Sequence, residues 1–208
     1  MNLLDIHKHS KSQTRSDTIY SLNHDELSCY KPDKYYSIGI HPWHISEDIN
    51  WDELYDLSKA ENVVAIGECG LDKLCNTPLK EQENYFIKQV EISEAVKKPL
   101  IIHMVRTTDE ILRIKRDLQP KQQWIIHGFR GKPQLAESYI HQGIIPSFGE
   151  KFNPETVRKI PLRCLLLETD ESNLTIEEVT YRVAQTIDIE NDKLANIIKN
   201  NSNRIFNR

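Results

Sequence analysis

The chain predicts an α/β fold, a (β/α)8 barrel in one domain spanning residues 1–208, and three observations carry that prediction. Eight short β-type apolar runs alternate with longer stretches of helical periodicity, the pattern of parallel strands joined by crossover helices. Six of those runs end at a His, Glu or Asp, and the C-terminal ends of barrel strands are where such folds keep their chemistry. No Gly/Ser linker, low-complexity tract or shift in composition marks a boundary, and a single barrel routinely exceeds the usual domain size.

Reading forward, strands are expected near 3–7, 18–22, 36–40, 63–67, 99–103, 123–127, 144–148 and 164–168. Helices are expected near 51–60, 80–97, 107–118, 132–142, 153–160, 174–187 and 190–206. The second of these is the clearest, with apolar residues at Phe86, Ile87, Val90, Ile92, Ala95 and Val96. Only ten or so residues separate the first two strands, and thirteen or so the second from the third. A parallel crossover needs about a dozen residues or more. The barrel is therefore expected to be trimmed, with missing or minimal helices after strands 1 and 2, and a second copy of the chain could cover the apolar flank left bare.

Composition excludes several classes. Hydrophobic residues make up 38% and charged residues 28%, which fits a globular protein rather than a disordered one. No apolar run approaches the roughly 18 residues of a membrane helix, and "MNLLDIHKH" lacks the pattern of a secretory signal. Four cysteines without a C-x-x-C pair point to reduced thiols and a cytoplasmic location. A formal charge of −4 argues against a broad basic surface. The run "RIKR" at 113–116 reads as a solvated helix face, so any nucleic-acid contact should be local.

The strand endings carry the chemistry. In "LLDIHKH", alternation puts Asp5, His7 and His9 on one face of the first strand. That stretch alone suits either a polar strand face or a metal clamp. The other endings are "SIGIHPWH", "VVAIGECGLD", "PLIIHMVR", "WIIHGFRG" and "LLLETD". If the barrel closes, His7, His9, Glu68, His103, His127 and Asp170 point into one mouth. Crowded together without a cation they would leave poorly paired buried charge, whereas imidazoles with carboxylates suit divalent metals. Two divalent ions against two carboxylates would leave the mouth positive by about two charges, a setting for a phosphate ester. His24, His44 and His141 read as surface residues, Cys69 as packing, and Trp43 and Trp51 as cover for the core in preference to stacking on bases.

These endings together resemble the TatD-type metal-dependent hydrolases, barrels described as deoxyribonucleases. "DIHKH" is similar to the family's D-x-H-x-H, "GIHPW" to G-x-H-P, "AIGECGLD" to I-G-E-x-G-L-D and "PLIIHMVR" to P-x-x-x-H. "IIHGFRG" is similar to H-x-F-x-G, "LLLETD" to L-x-E-T-D and "NNSNRIF" to the family's closing segment. The resemblance implies one or two divalent ions (Zn, Mn, Mg, Fe or Ni). His7, His9 and Glu68 would hold the first, Glu68 would bridge to a second held by His103 and His127, and Asp170 would bind metal. Glu68 and Asp170 would be catalytic, with Asp170 acting on a metal-bound hydroxide that attacks phosphorus. His41 and Arg106 would face substrate, while Asp5 and Glu168 would support the ligands from behind. The implied substrate is DNA or a small phosphoester. Other ester or amide bonds, and an inactive metal-binding or interaction module, are the alternatives. The chain departs from the family in three places: the missing early helices, Arg106 one place later than in H-S-R, and "ESNLTIEE" after E-T-D.

Overall fold

The computed structural model describes residues 3–9 and 12–206. Eight strands form one parallel sheet in the order β1 to β8: Asp5–Lys8, Thr18–Asn23, Tyr35–Gly39, Val63–Asp72, Leu100–Val105, Trp124–Ile126, Ile144–Phe148 and Leu166–Leu167. The ring closes through backbone bonds between the first and last strands. Asp170 N donates to His7 O at 2.8 Å and His9 N donates to Asp170 O at 3.2 Å. Asp170 adopts φ 53°, a left-handed conformation that Asp tolerates better than most residues. The residue that closes the barrel thus also presents a carboxylate beside His7.

Seven helices follow: α1 Trp51–Ser58, α2 Leu79–Val96, α3 Thr108–Leu118, α4 Pro133–His141, α5 Pro154–Lys159, α6 Ile176–Ile187 and α7 Asn191–Phe206. Their starts obey local rules. Asn50 caps α1, Thr175 and Glu178 form a capping box on α6, and α4 and α5 begin with proline. The trimmed connections are as expected. Among the described residues no helix follows β1, and a short 3-10 turn, His24–Cys29, follows β2.

The flank left by those missing helices is not bare. Tyr20, Leu22, Tyr36 and Ile38 are buried against Leu54 and Ile92, with Leu27 and Tyr30 of the short turn packed on them. Loops are tied down over the same flank. The Tyr36 hydroxyl donates to Gln13 Oε1 at 2.6 Å, and Arg15 bridges Asp17 and Glu177. Those apolar residues of the flank are buried within the chain itself.

Two boundaries differ from expectation. β8 is only two residues long because Pro161 opens a 3-10 turn over Leu162–Cys164. β4 runs on to Asp72, so Glu68 lies inside a strand instead of at its end. Glycines make that possible. Gly67 and Gly70 have φ of 135° and 147°, and a Cβ at either would collide with the carbonyl of Ile101 or His103 on β5. The ladder shifts register between Ile66 and Cys69, and the carboxylate of Glu68 enters the barrel there. Cys69 is buried on the other face, in the main core.

Helix α2 contributes polar side chains as well as its apolar face. Gln89 accepts from Ile40 N at 2.7 Å and donates to Ile40 O, fixing the backbone that leads into His41. Gln82 accepts from Asp72 N at 2.7 Å and donates to Asp72 O. Both amides are buried, and each satisfies strand-end backbone that would otherwise lack partners.

Candidate metal centre

Glu68 is the hub of the barrel mouth. Its Oε2 lies 2.8 Å from His9 Nε2 and 3.2 Å from His7 Nε2. Its Oε1 lies 2.7 Å from His127 Nε2, 2.8 Å from His103 Nδ1 and 3.2 Å from His41 Nε2. Asp170 Oδ1 stands 3.9 Å from His7 Nε2. The four histidines and two acids singled out in the sequence therefore meet in one place, and His41 joins them against Glu68.

Burial makes this cluster costly as it stands. His7 is fully buried; its Nδ1 has no hydrogen-bond partner, and its Nε2 has only the 3.2 Å approach of Glu68. Burial, reinforced by repulsion from His127, lowers its pKa, so the ring is neutral and able to ligate. Burial would raise the Glu68 pKa, but the charge of His127 and hydrogen bonds from His103, His127 and His41 hold it well below the carboxylate range. Burial would lower His127, yet the carboxylates of Glu68 and Glu168 hold it well above the usual value.

The donor set fits divalent metal. Three groups bring ligand atoms within 4.8 Å of one another: His7, His9 and Glu68; His7, His127 and Asp170; and His41, Glu68 and His103. Atoms bound to one ion at about 2.0–2.2 Å stand about 3–3.5 Å apart, close to the spacings seen here. Orphaned imidazole nitrogens facing carboxylate oxygens are the donors such an ion uses.

Behind the hub lies a layer of buried acids. Glu168 accepts from Gly128 N at 2.5 Å and from the Ser147 hydroxyl, with Oε1 3.6 Å from His127 Nδ1. Asp5 does not touch a ring. It accepts from Thr169 N at 3.0 Å and Thr169 Oγ1 at 2.6 Å, holding the backbone next to Asp170. Burial, against those bonds, pushes the Asp5 pKa up to about 7.

Two residues were not singled out as part of the site. Asp72, at the true end of β4, has Oδ2 3.2 Å from His103 Nε2 and accepts from Trp43 Nε1 at 2.7 Å. The "GLD" after Glu68 was its signal. Trp43 is not core cover: it is 62% exposed and lines the mouth, as does His44. Trp51 does pack inside, against Tyr85. Arg106 lies apart from the cluster. It is exposed at φ 56°, just past β5, and is not among the residues lining the mouth cavity, so the geometry gives no support to a phosphate contact there.

That cavity has a volume of about 480 Å³ and is walled by His9, His41, Trp43, Glu68, His103 and Asp170. A second cavity of about 260 Å³ adjoins it at Asp170 and Glu171, with Arg130 and Lys151 in its wall.

A family model described as TatD related DNase matches residues 8–207. The chain belongs to that family. Its relatives include the uncharacterized metal-dependent hydrolase YabD of Bacillus subtilis, 30% identical over 198 residues, covering 83% of this chain and 77% of YabD. The uncharacterized metal-dependent hydrolase YjjV of Escherichia coli is 29% identical over 160 residues, 71% of this chain and 61% of YjjV. The chain thus spans about three-fifths of the length of YjjV, as it does of a Buchnera aphidicola hydrolase, of which it covers 60%. Among solved structures, a TatD family hydrolase from Entamoeba histolytica superposes with TM-score 0.80 at 13% identity, over 99% of this chain and 98% of that one. The E. coli YJJV structure gives 0.78 at 23% identity, over 92% and 86%. At these identities the two structures establish the shared barrel.

Proposed function

We propose that this chain is a divalent-metal-dependent hydrolase of phosphoester bonds, with DNA as the leading substrate. The observation that carries the reading is the convergence of five imidazoles on one buried carboxylate, with Asp170 alongside. Membership of a family described as TatD related DNase supports the choice of bond. The wall of the adjoining cavity holds Arg130 and Lys151 beside the acids Glu150 and Glu171, so any contact to an anionic chain there would be local to the two cations.

His7, His9 and Glu68 would hold one ion, and His103 and His127 would hold a second, with Glu68 between the two and His41 in reach. Divalent ions so held stabilise charge on the phosphoryl group and acidify water. Among the chain's own residues, Asp170 would orient the attacking water and take its proton. Asp72 would hold the far nitrogen of His103 and so set that ring's orientation, while Glu168 places a carboxylate 3.6 Å from the far nitrogen of His127. Asp5 holds the Thr169–Asp170 backbone in place. The donor set suits Zn, Mn, Fe or Ni, with Mg less at ease among so many imidazoles. Cysteines 29, 69, 75 and 164 are all free, which supports a reducing, cytoplasmic setting. Among the described residues no helix is long and apolar enough to cross a membrane.

The test is a panel of phosphodiesters, phosphomonoesters and cyclic amides assayed with added Mn²⁺, Zn²⁺ or Mg²⁺. Turnover of phosphodiesters that disappears in Asp170→Ala is the expected result. Turnover of the cyclic amides alone would move the reading to the amide-cleaving alternative.

A further inference from the structure

Trp43 is an indole held out at the mouth with its orientation fixed. Its Nε1 donates to Asp72 Oδ2, and the other oxygen of that carboxylate accepts from Leu74 N at 2.7 Å. The ring packs edge-on against His41 (centroids 4.9 Å apart, planes at 84°) and His103 (5.8 Å, 72°). Both of those histidines touch Glu68. With its N–H engaged, the indole offers a ligand only its π surface. Leu74, 63% exposed, sits on the loop pinned to the same carboxylate. The other two tryptophans are used inside the fold: Trp124 is fully buried, and Trp51 lies between Tyr85 and Lys88.

An apolar ring kept in water costs hydrophobic free energy. A ring already locked loses little further freedom when something stacks on it. A group lying against Trp43 is one histidine away from the Glu68 cluster, within reach of a group held there. In a nucleic acid the planar group attached to a phosphodiester through one sugar is the base. A phosphomonoester of a sugar or a small alcohol has no such group.

We infer that Trp43 is a stacking platform for the nucleobase next to the scissile phosphate, and that it selects nucleotide phosphodiesters over simple phosphate esters. The inference rests on the phosphoesterase reading above. Stacking tolerates any base, because every base presents a π face, so selectivity is for a base and not for a sequence.

The test compares oligothymidylate with the same phosphodiester chain carrying tetrahydrofuran in place of each nucleoside, both with saturating Mn²⁺. Trp43→Ala is expected to raise KM for oligothymidylate by about 5- to 150-fold with kcat little changed. KM for the abasic chain should be the same in both proteins. Trp43→Phe keeps a ring and loses the N–H, and should stay near wild type. Without turnover, oligothymidylate should quench tryptophan fluorescence in the wild type but not in Trp43→Phe, which retains Trp51 and Trp124. An equal KM rise on the abasic chain overturns the inference. So does a fall in kcat in Trp43→Phe matching that in Trp43→Ala, since the residue would then act through Asp72 and His103. If the wild type cleaves neither chain, the phosphoesterase reading itself fails, and the titration then decides the stacking role alone.

Discussion

Ile101 and His103 lie two residues apart on β5 and face the same way, as do Ile125 on β6 and His127 just past it, and Leu166 on β8 and Glu168 just past it. The first member of each pair belongs to an aliphatic layer with Leu3, Ile19, Val64 and Ile145. The second member stands one layer higher, among buried imidazoles and carboxylates. Two layers of one barrel thus carry opposite chemistry on the same strands. The lower layer removes apolar surface from water and stabilises the ring. The upper layer buries polar groups that the protein satisfies only in part, such as His7, whose Nδ1 has no hydrogen-bond partner. Stability and function are stacked a few ångströms apart, and each should be breakable without the other.

The sharpest break comes from Glu68→Ala, which removes the one side chain that five histidines share. Hydrolysis should fall below detection and metal content should collapse, while the chelated protein still unfolds cooperatively; assays, elemental analysis and calorimetry check these in turn. Ile125→Ala is the converse. Truncating a fully buried aliphatic residue should cost about 2–5 kcal/mol in denaturant unfolding, with metal content unchanged below the transition. Chelation should lower the melting temperature of the wild type and of Ile125→Ala, yet leave Glu68→Ala unmoved. Asp72→Asn weakens the hold on His103, and on Trp43 beside it, so metal affinity or turnover should drop about 10–100-fold. Arg106→Ala, outside the mouth, should change kcat/KM least. A large loss there would return the arginine to the substrate path.

The upper layer was the more legible of the two in the sequence, because His and acids at strand ends stand out against aliphatic runs. Period-two alternation was enough to put His7 and His9 on one face and to expect Glu68, His103, His127 and Asp170 at one rim. What it missed comes from β4. Two positive-φ glycines carry that strand five residues past the expected end, and Asp72 reaches His103 from there. Alternation is silent where the ladder shifts register. The covered flank beside β2 and β3 was equally hidden, since Tyr20, Tyr30 and Tyr36 do there the work that helices do elsewhere. Trp43 read as core because tryptophan is usually buried, and only its hydrogen bond to Asp72 shows why it can stand in water.

Elemental analysis of the purified wild-type chain beside Glu68→Ala tests the central claim most directly. One to two divalent ions per wild-type chain, absent from the variant, is the predicted result. A wild-type chain that stays metal-free after incubation with Zn²⁺, Mn²⁺ and Fe²⁺, or a variant that binds them equally well, would contradict it.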